Sequence, residues 1–198
     1  MGKKIILKAS LKGDRKYLHS TDIIIAILHL IGRVNNFSFR MHKITSKKLY
    51  MHFVDNDELN EYRSQNVLVA LMTCIKDGKN ITIVFTETNQ QVTDRYPYNE
   101  KKVTSGYLIH DNTITQQSNN TGNFIERIVG LNKTLLNERV ENNPWLFSRI
   151  DLQFAPFDCK LIEISYLREI GKHTYLSKLI CDEKFTGKIF FSKKKSYN

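Results

Sequence analysis

One ten-residue stretch, GDRKYLHSTD, contains four side-chain types that often carry chemistry: Arg15, Tyr17, His19 and Asp22. Histidine and tyrosine transfer protons, a carboxylate can orient a histidine, and arginine binds phosphate. If a helix begins here, its first N–H groups and its dipole would stabilise an oxyanion. The stretch predicts either a proton-transfer site or an ordinary helix cap, made by Ser20 or Asp22, with solvated neighbours.

A second pair of candidates lies in the other half of the chain. His110 precedes Glu126 by sixteen residues, and Glu126 falls in the first turn of a predicted helix. The pair predicts a catalytic acid–base couple. The alternative is that Glu126 complements the helix dipole while His110 ends a strand at the surface.

Motifs of several other catalytic classes do not occur in the sequence. It contains no phosphate-binding P-loop, GxGxxG, GxSxG or Cys–His metal pattern. Cys74, Cys159 and Cys181 lack metal-ligand spacing, which predicts buried free thiols. We therefore expect neither a metal nor a cofactor.

The elements that must position these residues follow an order that repeats. In the first half, a short strand precedes an apolar helix over Ile23–Ile31, which ends at Gly32 and contains His29 as a predicted core histidine. Four strands follow: NFSFRMHKI, KKLYMHFV, NVLVALMTCI and NITIVFTET.

The second half shows the same order. The strand KKVTSGYLI precedes a cap region over Ser118–Thr121 and a helix, FIERIVGLNKTLLNERV, with apolar residues at helical spacing. The strands WLFSRIDLQF and CKLIEISYL follow, and HTYLSKLICDEKFTGKIFFS predicts a hairpin. This hairpin aligns with the last hairpin of the first half, so that Ile83 matches Ile189 and Phe85 matches Phe191. We predict an internal duplication, with repeats over residues 1–98 and 99–198.

This order, βαββββ twice in one chain, resembles the hotdog fold in its double-hotdog arrangement, an α+β fold in which a curved antiparallel sheet wraps each helix. The apolar segment Ile23–Ile31 suits a helix covered by a sheet. Hotdog proteins mostly handle acyl thioesters, as hydroxyacyl-carrier dehydratases, thioesterases or non-catalytic binders. The resemblance therefore implies a 3-hydroxyacyl-carrier dehydratase or a thioesterase that acts on an acyl carrier protein or CoA thioester.

The resemblance also implies roles for the candidate residues. His19 or Tyr17 would act as general acid or base, Asp22 would orient the histidine, Arg15 would hold a phosphate, and the helix N-terminus would receive the thioester oxygen.

In the dehydratases, a glycine and a proline follow the catalytic histidine closely, and an acidic residue lies in the helix. Neither half of this chain contains that histidine–glycine–proline framework, although the spacing of His110 and Glu126 approximates the dehydratase spacing. This departure favours the alternative of a non-catalytic scaffold that binds acyl groups or carrier proteins.

The charge balance favours an anionic partner. Thirty Lys and Arg against twenty Asp and Glu give a formal net charge of +10. Carrier proteins and CoA are acidic; nucleic acid is the further alternative, because Phe37, Phe39, Tyr50 and Phe53 alternate with basic residues. No apolar run is long enough to cross a bilayer, and we expect a cytoplasmic monomer or homodimer.

Overall fold

The computed structural model describes residues 4–117, 122–140, 144–155 and 159–193. The predicted cap region at 118–121 lies outside these residues. The chain divides into two compact units. The first contains the described residues of 1–98 with 154–155, and the second contains those of 99–153 and 159–193.

The first unit is built on an antiparallel sheet, with strands in the order β1-β4-β6-β5-β3. A two-residue parallel pair, β2 with β7, lies beside it as a separate ribbon. The elements in chain order are β1 (Lys4–Leu7), β2 (Leu11–Lys12), α1 (Ser20–Ile31), β3 (Val34–Met41), β4 (Lys47–Phe53), α2 (Asn56–Ser64), β5 (Leu68–Lys76), β6 (Lys79–Gln91) and β7 (Arg95–Tyr96).

Helix α1 confirms the predicted apolar helix. It contacts β1 and β3, and most of its aliphatic side chains are buried. Gly32 ends it with a φ of 74°, a conformation that glycine adopts without strain. His29 is exposed in the last turn, so the prediction of a core histidine there is wrong. It lies in the last turn of the helix, where a basic side chain interacts favourably with the helix dipole.

The first unit also contains a helix that the strand-based prediction missed. In α2, the side chain of Asp55 accepts from the Glu58 N–H at 2.9 Å, and the Glu58 carboxylate accepts from the Asp55 N–H at 3.3 Å. This reciprocal pair is a capping box, which fixes a helix start even in a polar segment. Leu59 is its buried anchor.

The second unit has an antiparallel sheet in the order β10-β13-β12-β11-β9-β8. The longer of its two helices, α4, contacts β9, β11 and β13. The elements in chain order are α3 (Glu100–Val103), β8 (Tyr107–His110), β9 (Thr113–Gln117), α4 (Phe124–Arg139), β10 (Trp145–Ala155), β11 (Leu161–Ile170), β12 (Thr174–Cys181) and β13 (Lys184–Lys193).

The predicted strand KKVTSGYLI is wrong in its first half, where the short helix α3 forms instead. The Asn99 side chain accepts from the Lys102 N–H at 3.0 Å and caps that helix. Only Tyr107–His110 is strand. The strands β10 and β11 and the β12–β13 hairpin confirm the other predictions for this half.

Both units combine one long helix with antiparallel strands, as an α+β fold should. The six-element order is not reproduced in detail, because α2 interrupts the strands of the first unit and a β8–β9 hairpin precedes α4 in the second. Among the described residues, no helix is long and apolar enough to span a membrane. Phe37 and Phe39 are buried in the core, which removes them from any base-stacking surface.

The contact between α3 and α4 generates a stability prediction. A Cβ built on Gly130 in α4 would lie 2.6 Å from Thr104 Cγ2, and Thr104 is buried and β-branched. We expect Gly130→Ala to lower the free energy of unfolding by about 1–3 kcal/mol through this clash. In a Thr104→Ser background, which keeps the hydroxyl and removes the methyl, the same change should stabilise by about 1 kcal/mol, because alanine is the better helix former. Urea denaturation of the four proteins checks this; equal effects of Gly130→Ala in both backgrounds would contradict it.

Candidate active site

The β2–β7 ribbon places a buried lysine beneath the start of α1. Lys12 lies opposite Tyr96 in the parallel register, and it is only 1% exposed. Its Nζ forms an ion pair with Asp22 Oδ1 at 3.1 Å and lies 4.3 Å from the centre of the Tyr98 ring. A lysine is almost never buried this deeply without a partner, and here a carboxylate and an aromatic face supply one.

Asp22 lies in the first turn of α1 and is 7% exposed. The Tyr96 hydroxyl donates to its Oδ1 at 2.7 Å, in addition to the Lys12 ion pair. A carboxylate in this turn also interacts favourably with the helix dipole. The sequence placed Asp22 in the site; its observed partners are Lys12 and Tyr96.

Thr21 connects this buried pair to His19. Lys12 Nζ donates to Thr21 Oγ1 at 2.7 Å, and the same hydroxyl lies 2.8 Å from His19 Nδ1. His19, which precedes the helix as its N-cap, also accepts from the Thr21 N–H at 3.4 Å through Nδ1. Because a backbone N–H can only donate, Nδ1 is unprotonated and the proton of the neutral imidazole is on Nε2. In this arrangement His19 is a hydrogen-bond donor at Nε2.

Tyr17 and Arg15 lie next to this network and are both half-buried. The Tyr17 ring stacks on the His19 ring with centroids 6.4 Å apart. The Arg15 guanidinium lies 5.5 Å from the centre of the Tyr98 ring, and Arg95 Nη1 donates to the Arg15 carbonyl at 3.1 Å. The structure thus brings together all four residues that the first sequence stretch singled out.

The first turn of α1 offers one backbone donor to a ligand. The Thr21 N–H is taken by His19 Nδ1, and the Asp22 N–H is taken by the His19 carbonyl at 2.9 Å. Within the described part of the chain, the Ser20 N–H has no hydrogen-bond partner. A carbonyl oxygen at this point would meet a donor, the positive end of a helix dipole and a nearby cation.

The second predicted pair is not brought together. His110 lies at the β8–β9 turn, where its side chain is 92% exposed and lies 3.0 Å from the Asp111 carboxylate. Glu126 instead accepts from the Asn123 N–H at 3.2 Å, in the capping box of α4. Strand β9 rises about 13 Å from that turn to Gln117, whose carbonyl accepts from Arg127 in α4. His110 therefore lies at an exposed turn and Glu126 caps a helix, and the two do not form an acid–base couple.

Sequence reasoning missed Lys12, Thr21, Tyr96 and Tyr98. The last two occur in the segment RYPY, where two tyrosines flank a proline in otherwise polar surroundings. That segment is the one signal that could have drawn attention to them. Lys12 carried no such signal, because its burial depends on a two-residue ribbon formed with a distant part of the chain.

A cavity of about 370 Å³ lies elsewhere in the first unit, between α2 and the end of β4. His52 and Tyr62 line it, with ring centroids 5.2 Å apart. Burial, and then the charge of Lys4, lower the pKa of His52, so this imidazole is neutral at neutral pH. Glu61 and Gln65 in its wall are exposed to solvent. We place the candidate site at α1 because the charged groups there are desolvated.

Comparison with known proteins establishes a fold. No family model matches the chain, and no curated protein matches it. Among solved structures, the tesB protein of Mycobacterium avium subsp. paratuberculosis is 8% identical, covers 97% of this chain and 93% of its own, and superposes with a TM-score of 0.51. The dehydratase domain of PpsC from Mycobacterium tuberculosis, solved with C12:1-CoA, is 5% identical with a TM-score of 0.47, over 96% of this chain and 92% of its own.

The tesB protein has the hotdog fold, and the resemblance predicted from element order is confirmed at the level of fold. Identities this low carry no assignment of activity.

The buried ion pair generates a test of the site's architecture. Lys12→Met removes the cation and leaves Asp22 desolvated, which should lower the free energy of unfolding by about 3–5 kcal/mol. Lys43→Met is the matched control, because Lys43 is 55% exposed and its partner Glu87 keeps a second lysine, Lys47. We expect the control to cost about 1 kcal/mol or less. Urea denaturation measures both, and similar losses would show that the Lys12–Asp22 pair is no structural anchor.

Proposed function

We propose that this protein processes acyl thioesters at the start of α1, with dehydration of a 3-hydroxyacyl group favoured over hydrolysis. The observation that carries the proposal is the network Lys12–Thr21–His19. It links a desolvated ion pair to a half-buried proton carrier next to a helix N-terminus. The hotdog fold supports the proposal, because hotdog proteins mostly handle acyl thioesters.

In the proposed mechanism, the thioester carbonyl accepts a hydrogen bond from the Ser20 N–H. The helix dipole, with Lys12 close by, stabilises the negative charge that develops on this oxygen. His19 assists as general acid by donating its Nε2–H in a hydrogen bond to the departing hydroxyl. Tyr17, stacked on His19, relays the proton: its oxygen accepts the α-proton as its own proton passes to the hydroxyl, which leaves as water.

Arg15 would hold a phosphate of the carrier. Its guanidinium lies 5.5 Å from the centre of the Tyr98 ring and is half-buried, and a guanidinium binds phosphate through two parallel hydrogen bonds. We therefore propose CoA or the phosphopantetheine of an acyl carrier protein as the carrier. The formal net charge of +10 supports an acidic partner.

We further propose that the two units are hotdog repeats from an internal duplication, which would let one chain act as a pseudo-dimer. The hairpin alignment supports this proposal, because Ile83 and Ile189 are both fully buried and each lies on the returning strand of the last hairpin of its unit. A cytoplasmic location stays a prediction.

A second candidate function is a non-catalytic scaffold that binds acyl groups or carrier proteins. One observation favours it: Asp22 Oδ1 is occupied by both Lys12 and Tyr96, which is what a purely structural carboxylate would show. In that case the network only stabilises the start of α1. His110 and Glu126 have no part in either candidate.

The test incubates the protein with 3-hydroxyacyl thioesters on CoA and on carrier protein and follows the products by mass spectrometry. Loss of water identifies a dehydratase and release of free acid a thioesterase. Unchanged thioesters that comigrate with the protein identify a scaffold. If only nucleic acid binds, with an affinity that falls steeply with salt, the acyl-thioester proposal is wrong.

His19→Asn separates proton transfer from helix capping. Asparagine is a strong N-cap, so the melting temperature should stay close to that of the unmodified protein. Turnover should fall by at least about 100-fold, because the general acid is lost. Tyr17→Phe should also lower turnover. The control His29→Asn changes an exposed histidine at the other end of the helix and should leave turnover unchanged. Full activity in His19→Asn would contradict the mechanism.

A further inference from the structure

The cavity between α2 and the end of β4, which we call the α2 cavity, is separate from the acyl-thioester site. Its volume of about 370 Å³ is typical of a site for a small ligand. Side chains from β1, β4, α2 and their junctions line it: Lys4, His52, Phe53, Val54, Glu58, Glu61, Tyr62 and Gln65. None of them belongs to the network around Lys12, so a function of this cavity does not rest on the proposed acyl-thioester chemistry.

Helix α2 forms one wall of the α2 cavity. The four residues that the helix and its C-cap contribute follow the spacing i, i+3, i+4 and i+7, which places them on one helix face: Glu58, Glu61, Tyr62 and Gln65. This wall therefore combines two carboxylates, an aromatic ring and an amide.

The rest of the lining comes from β1 and β4 and includes an ordered imidazole. His52 lies opposite Lys4 in the β1–β4 register, and its Nε2 is 3.0 Å from Thr86 Oγ1. The centre of its ring lies 6.2 Å from that of Tyr50 and 5.2 Å from that of Tyr62. His52 is thus held between two tyrosines, and its contact with Tyr62 joins the strand to the helix.

The lining carries a negative formal charge in a protein whose formal net charge is +10. Glu58 and Glu61 supply two carboxylates, against one ammonium from Lys4. His52 adds no charge at neutral pH, because burial and then the Lys4 charge lower its pKa. The α2 cavity therefore favours a cationic ligand, although the chain as a whole favours an anionic one.

The two carboxylates are hydrogen-bonded but not neutralised. Glu58 accepts from the Asp55 N–H at 3.3 Å, and Glu61 accepts from the Gln65 side-chain amide at 3.1 Å. Both donors are uncharged, and within the described ranges neither carboxylate forms an ion pair. Their negative charge remains available to a cation that enters the cavity.

The Tyr62 ring supplies a surface on which such a cation can bind. Ammonium groups are attracted to the faces of aromatic rings, and Lys4 Nζ adopts this arrangement 3.5 Å from the centre of the neighbouring Tyr50 ring. After burial, the charges of Glu58 and Glu61 are what raise the pKa of Tyr62, so both carboxylates act at this ring.

We propose that the α2 cavity binds a substituted ammonium ion that carries an apolar group. The ammonium lies on the Tyr62 ring beside Glu58 and Glu61, and the apolar group packs on Phe53 and Val54. Ring, carboxylates and apolar wall each recognise a different part of the ligand.

The experiment titrates the full chain with choline at constant ionic strength and follows the ring resonances of His52 and Tyr62 by NMR. Choline should shift both, whereas 3,3-dimethyl-1-butanol, an uncharged molecule of the same shape, should shift neither at the same concentration. Benzyltrimethylammonium should bind about tenfold more tightly than tetramethylammonium, because its ring buries apolar surface on Phe53 and Val54.

Variants of the charged residues test the carboxylates. The double variant Glu58→Gln, Glu61→Gln keeps both hydrogen bonds, since glutamine also serves in a capping box, and should weaken choline binding by about tenfold or more. The matched control Asp57→Asn removes a charge from the same helix outside the lining and should change the affinity by less than about twofold. Lys4→Gln should tighten binding, because a like charge leaves the cavity.

Variants of the aromatic wall complete the test. Tyr62→Leu should weaken choline binding by about fivefold, and Tyr62→Phe should bind choline as the unmodified protein does. Urea denaturation shows whether each variant is folded, and the charge variants decide the matter if Tyr62→Leu is not. The proposal is overturned if the uncharged alcohol shifts the two rings as choline does, if acetate binds and choline does not, or if Asp57→Asn weakens binding as much as the double variant.

Discussion

The ion pair between Lys12 and Asp22 is the constraint on which the first unit's candidate site depends. Two charges removed from water are costly, and only close contact with further hydrogen bonds compensates them. The β2–β7 ribbon holds Lys12 and Tyr96 side by side, and both reach the one carboxylate oxygen that α1 presents. The loop before α1 must close over this pair, which fixes where the helix begins. His19 is the residue before the helix start and therefore caps it. Because its Nδ1 accepts from the Thr21 N–H, the neutral imidazole carries its proton on Nε2.

The second unit meets the same physical problem with different residues. Its buried cation, Arg127, is 5% exposed, and oxygens of Gln116 and Gln117 accept hydrogen bonds from two of its donors. The first unit thus satisfies a buried cation with a carboxylate, and the second satisfies one with neutral amide oxygens.

Periodicity and turn chemistry were enough to predict α1, α4 and both closing hairpins, because those elements bury one face over a long run. The helix α2 was missed although its Asp55–Glu58 capping box is visible in the sequence, since few apolar residues follow it. The candidate residues Arg15, Tyr17, His19 and Asp22 were predicted from type and spacing alone. Lys12 and Tyr96 were not, because their contact with Asp22 arises only when a distant segment pairs with β2. The separation of His110 from Glu126 likewise follows from the β8–β9 hairpin, which no local pattern predicted.

The most direct test of the account is the infrared carbonyl band of a bound ligand. A carbonyl-labelled ketone analogue of acyl-CoA, with methylene in place of sulfur, would be measured with the unmodified protein and with Ser20→Pro. Proline is well tolerated at the first helical position and removes the N–H that the mechanism uses, together with the serine hydroxyl. The account predicts that binding moves the band to lower wavenumber and that Ser20→Pro abolishes most of this movement while the analogue still binds. A band that stays at its solution position, or that moves equally in both proteins, would contradict the assignment of this helix start as the site of carbonyl polarisation.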